Sequence, residues 1–63
     1  MQNVIECLRK KTGITQAQLA EACGVTRQTI NAIENNKYDP TLQLAFALAK
    51  ALNTTVDDLF TYP

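Results

Sequence analysis

Sixty-three residues, six basic and six acidic side chains, two cysteines and no histidine leave room for one small domain with no excess of charge. A chain this short buries only about 60% of its unfolded surface, but a hydrophobic content of 46% still supports a compact core, one expected to gain further stability from a partner chain. The same numbers exclude a membrane span, for want of about 18 consecutive apolar residues, and a metal site, for want of His and of a Cys pair at ligand spacing.

A first helix is expected over residues 2–12, with Val4, Ile5 and Leu8 as a narrow apolar stripe. Arg9, Lys10 and Lys11 close it, where cations suit the negative end of the helix dipole, and Thr12-Gly13 ends it. Ile14 precedes Thr15 and packs back as a hydrophobic staple. A second helix follows at 16–23 and a third at 27–35. Each is introduced by a threonine, Thr15 and Thr26, whose hydroxyl suits the free N–H groups of a first turn. Leu19, Ala20 and Cys23 line one apolar face; Val25, Ile30 and Ile33 line the other. Gly24 stands where a helix stops with positive φ, and Ala20 is small enough for close approach. Two short helices crossing about such a turn form a helix-turn-helix over 16–35.

Asn35 and Asn36 tolerate a left-handed terminus, and Pro40 keeps Asp39 out of helix. Thr41 caps a fourth helix, in which Leu42, Ala45, Leu48, Ala49 and Leu52 recur at three and four residues. Leu44 and Phe46 widen its apolar surface, so it is buried, wholly or with one side left for a dimer contact. Asn53 ends it. Thr55 opens a short fifth helix with Val56, Leu59 and Phe60 apolar and Asp57 and Asp58 at its positive end. Residues 61–63 read as a tail, and no strand alternation is visible.

The charge is unevenly spread. Residues 1–38 hold five basic against three acidic side chains, and residues 39–63 one against three. The helix-turn-helix half is the mildly basic one, a polarity that turns one face toward DNA. Met1 is followed by polar residues, so no secretion signal is expected. Cys7 and Cys23 are expected to stay reduced.

From residue 3 to residue 60 the chain resembles the lambda-repressor-like, Cro/cI-type (Xre) family of helix-turn-helix regulators. The matching stretches are LRKKTGITQAQLAEACGVTRQTINAIENNKYDP and TLQLAFALAKALNTTVDDLF. In register stand Leu8-Arg9, Thr15-Gln16, Leu19-Ala20, Gly24-Val25, Ile30, Ile33-Glu34, Lys37 and Pro40. The resemblance implies an all-α, compact five-helix fold, a single domain over 1–63, and the small stand-alone, mostly dimeric members of the family. It departs from the family at Asn36, where a glycine is usual; Asn also tolerates positive φ.

In this docking mode the third helix enters the major groove. Its outward residues Thr26, Arg27, Gln28, Asn31 and Ala32 are then the expected base contacts. Arg27 suits guanine, Gln28 suits adenine, and Ala32 suits a thymine methyl. Gln16, Lys10, Asn35, Asn36, Lys37 and Tyr38 are the expected backbone contacts, which set register without reading sequence. The resemblance further implies that Gln16 braces Gln28 and that Arg9 and Glu34 form a structural ion pair between the first and third helices. Leu59, Phe60 and Tyr62 are the expected dimer surface, with Leu59 turned inward.

These features point to a cytoplasmic, sequence-specific, dimeric regulator of double-stranded DNA, a repressor acting on a near-palindromic operator, without cofactor or small-molecule ligand. An antitoxin or controller of a two-gene module is the alternative on the same chemistry. An adaptor that lost DNA binding would show an apolar or acidic recognition face, which Thr26, Arg27, Gln28 and Asn31 do not. An enzyme is not expected: there is no Gly-rich phosphate loop and no catalytic His, and Asp57 and Asp58, adjacent on a helix, point different ways.

Overall fold

The computed structural model describes residues 1–62. Five helices are flanked by two short strands: β1 (Gln2–Asn3), α1 (Ile5–Thr12), α2 (Gln16–Cys23), α3 (Arg27–Glu34), α4 (Leu42–Ala51), α5 (Val56–Leu59) and β2 (Phe60–Thr61). Among the described residues no helix is long and apolar enough to cross a membrane.

The starts and stops have local causes. Thr15, Thr26, Thr41 and Thr55 each sit in extended backbone and accept the N–H of the residue three further on, which satisfies a free donor of the first turn. At Thr15 the cap is reciprocal. The Gln18 side chain accepts the Thr15 N–H at 2.9 Å while Thr15 Oγ1 accepts the Gln18 N–H at 3.1 Å, a capping box. The C-termini of α1 to α4 close by one device. Gly13, Gly24, Asn36 and Asn53 take φ of 78°, 70°, 61° and 59°. The next N–H then reaches back to Arg9, Ala20, Ala32 and Ala49 respectively, at 2.9–3.0 Å. This is the Schellman closure, and Asn36 holds the left-handed position as well as a glycine would.

Every helix contributes to one core. Ile5, Leu19, Ile30, Ile33, Leu48 and Leu59 are its fully buried large side chains, each worth about 1.5–3 kcal/mol of apolar transfer. Ala20, Ala45 and Ala49 let the helices approach. Cys23 and Val25 pack at the edge, as does Ile14, the expected staple.

Three expectations are corrected. The first helix starts at Ile5, because Gln2 and Asn3 are drawn into an antiparallel pair, Gln2 opposite Thr61 and Asn3 opposite Phe60. The chain is therefore not without strands, and Thr61 is no tail. Phe60 leaves helical conformation (φ −118°, ψ 144°); this turns its ring inward, 9% exposed. Leu59 and Phe60 are thus covered by their own chain and offer a partner little surface. Of the expected dimer residues only Tyr62 stays open, 85% exposed.

Candidate nucleic-acid interface

α3 is fixed by its buried face, through Ile30 and Ile33, and by one polar network. Arg9 of α1 grips Glu34 of α3 with two prongs, Nε to Oε2 at 2.8 Å and a terminal nitrogen to Oε1 at 3.3 Å. The other terminal nitrogen donates to the Ile14 carbonyl at 3.1 Å. Gln16 of α2 donates from Nε2 to Glu34 Oε1 at 2.9 Å. One carboxylate therefore ties α3 to both preceding helices. The Arg9 and Glu34 side chains are only 11% and 4% exposed. Hydrogen bonding to Glu34 raises the Arg9 pKa above its ordinary value, outweighing the opposite effect of burial. The expectation for Gln16 is corrected here: its amide braces Glu34, not Gln28, because the carboxylate is the stronger acceptor within reach.

Gln16, Arg27, Gln28 and Asn31 together line one open concavity at the N-terminal end of the motif. Three of these are expected base contacts and the fourth an expected backbone contact. Arg27, Gln28 and Asn31 are exposed. Asn31 is partly pre-set, since Asn35 donates from Nδ2 to the Asn31 carbonyl at 2.9 Å and to its Oδ1 at 3.3 Å. Thr26 is also exposed, but its hydroxyl caps α3 and lies 3.0 Å from Thr29 Oγ1. Ala32, expected to face outward, is half-buried.

Asn35, Asn36, Lys37 and Tyr38 are exposed in the connection that follows α3. Lys10 stands apart from the concavity, its ammonium 3.4 Å from Glu6 one turn earlier on α1. Among the described residues neither Arg27 nor Lys37 forms an ion pair, so both charges are open to a ligand. Sequence reasoning missed Asn3, whose amide reaches the end of α3. Its signal was local: an Asn two residues ahead of a helix start.

The chain matches the helix-turn-helix family model HTH_3 over residues 6–59. It is 47% identical over 62 residues to MJ0272, an uncharacterized HTH-type transcriptional regulator of Methanocaldococcus jannaschii, covering 98% of this chain and 94% of that protein. The DNA-binding domain of the P22 C2 repressor has a similar structure, with a TM-score of 0.80 and 36% identity, over 84% of this chain and 70% of that one. The restriction-modification controller protein C.AhdI of Aeromonas hydrophila is similar at a TM-score of 0.82 and 28% identity, over 89% and 85% of the two chains. The chain belongs to the HTH_3 helix-turn-helix family of DNA-binding transcriptional regulators.

Proposed function

We propose that the protein is a cytoplasmic, sequence-specific repressor that binds a near-palindromic operator as a homodimer, with α3 in the major groove. The observation that carries this is the concavity that Gln16 of α2 shares with Arg27, Gln28 and Asn31 of α3, the two helices being tied by the Arg9–Glu34–Gln16 network. Arg27 pairs its fork with guanine O6 and N7, and Gln28 its amide with adenine N6 and N7, each worth about 1–3 kcal/mol of discrimination. Thr26, Asn31 and the outer part of the Ala32 methyl complete the base-facing surface. Gln16, Lys37 and the backbone of Asn35 to Tyr38 hold phosphates and set register, with Lys10 at the margin. The resemblance to the P22 C2 repressor domain supports both DNA binding and repression.

The dimer is supported by the apolar surface that the core leaves uncovered. Phe46 is 59% exposed and lines a concavity with Ala49 and Val56, rimmed by Lys50, Asn53 and Thr55, and Tyr62 lies open just after β2. A twofold dimer spaces two α3 helices about 34 Å apart, one turn of DNA. A second reading, a controller protein of a two-gene module, is favoured by the likeness to C.AhdI; it shares the DNA chemistry and differs in which promoter is bound.

Selection from a random DNA pool with wild type and Arg27→Ala tests the proposal. The wild type should enrich a palindrome with half-sites about 10 base pairs apart, and Arg27→Ala should relax preference at one symmetric position. Failure to enrich a palindrome even at low salt, where phosphate binding is strongest, would refute it. Location of the selected site in a promoter that drives the protein's own gene and a neighbouring one would favour the controller reading.

A further inference from the structure

We propose that Asn3 is a positioning residue for DNA binding. From β1 it fixes the start of the connection after α3 in the shape that receives a phosphate. The proposal rests on the DNA-binding reading above. Asn3 uses both ends of its amide. Oδ1 accepts the Ile5 N–H at 3.1 Å and so opens α1. Nδ2 donates to the Ile33 carbonyl at 2.9 Å and to Asn36 Oδ1 at 3.3 Å.

The Ile33 carbonyl already accepts the Asn36 N–H at 3.0 Å, so Asn3 takes its second lone pair. Asn36 is the left-handed residue on which the chain turns away from α3, and Lys37 follows with its N–H bound to Ala32 at 2.9 Å. Asn3 thus holds the last turn of α3 and the side chain of the turning residue together. It is itself anchored. β1 pairs with β2 at Phe60, Val4 N–H donates to the Leu59 carbonyl at 3.0 Å, and both Leu59 and Phe60 are buried. A chain of contacts therefore runs from the core through both strands to the exposed residues that carry Lys37. Fixing these residues in the free protein removes an ordering cost that DNA binding would otherwise incur.

The test uses Asn3→Ser, a neutral change that leaves an oxygen near the Ile5 N–H but cannot reach Ile33. In the free protein, amide hydrogen exchange at Asn36 and Lys37 should accelerate about fivefold, while the Leu48 amide in the core is unchanged. On the DNA selected by the wild type, the slope of log K against log salt should fall by about 1.8, the weight of one phosphate in each half-site of the dimer. Lys37→Ala should do the same, and the double variant no more, with half-site preference retained throughout. Unchanged exchange at Asn36 and Lys37 would overturn the clamp without reference to DNA. Faster exchange with an unchanged salt slope would overturn its part in binding and leave Asn3 purely structural. A wild type without salt-dependent DNA binding would remove the underlying reading, whatever the exchange data. Should Asn3→Ser melt too low for measurement, Asn3→Asp keeps the acceptor, lacks the donor and carries the same exchange test.

Discussion

Arg9→Ala is expected to be severely destabilising, and the reason lies in what it leaves behind. Glu34 keeps one donor, Gln16 Nε2 at 2.9 Å, on a side chain only 4% exposed. Removing one partner of a buried pair costs about 3–5 kcal/mol, because the other charge stays buried and uncompensated. The 11% exposure of Arg9 places this case at the lower end, about 3 kcal/mol. A domain of this size has about 3–9 kcal/mol in total, so the melting temperature should fall by about 12–24 °C. The assay is urea and thermal denaturation of Arg9→Ala, Glu34→Ala and the double variant at pH 7. Arg9 has its pKa raised above its ordinary value, first by the hydrogen bond to Glu34, so its contribution is complete below that ordinary value and lost only as pH rises beyond it; pH 7 leaves the charge intact. The double variant should cost little more than either single change, a coupling of about 2 kcal/mol. A coupling below about 0.5 kcal/mol, the range of exposed ion pairs, would refute the claim that this network holds α3.

Other outcomes follow from single contacts. Asn36→Ala should cost about 1 kcal/mol, the steric penalty of a left-handed residue, whereas Asn36→Gly should be nearly neutral; denaturation midpoints of the two variants check this. Thr15→Ala breaks the capping box of α2 and should cost about 1 kcal/mol by the same assay. Burial raises the Cys23 thiol above its ordinary value of 9.0. The thiol form is thus favoured in the folded state, and its contribution is complete below pH 9 and lost as pH rises beyond. Cys7 is exposed, so mass spectrometry after iodoacetamide treatment at pH 8 should find Cys7 alkylated well before Cys23.

What the sequence revealed was what neighbouring residues decide among themselves. Thr15, Thr26, Thr41 and Thr55 are legible as caps because a cap needs only a hydroxyl and the next three amides. Gly13 and Gly24 are legible as stops because positive φ is a property of one residue. Thr15 and Gln18 carried a capping box in plain spacing, and it went unread. The strands were not legible: two residues cannot show a period of two, and Gln2–Asn3 become a strand only because Phe60–Thr61 arrive beside them. The same arrival turns Phe60 into the core, where it had been expected to share a dimer surface with a partner. Gln16 was assigned the wrong partner because Glu34, eighteen residues away, competes for its amide.

Net charge was the least informative property of the chain, since a duplex meets one face and not a sum. Lys10 and Arg9 are paired to carboxylates, which leaves Arg27 and Lys37 as the unpaired cations of α3 and the connection that follows it. The proposed dimer then presents four such cations, two from each protomer. If all four displaced counterions, log K would fall with log salt at a slope of about −3.6. Between 50 and 200 mM salt that is a loss of about 150-fold, against about a thousandfold or more for proteins making 6–10 phosphate contacts. Binding titrations at four salt concentrations would measure the slope. A value steeper than about −6 would show that Lys10, Lys11 or other cations engage the duplex as well. A value near −3.6 would leave specificity to Arg27, Gln28 and Asn31, and through them to the Arg9–Glu34–Gln16 network that sets the angle of α3.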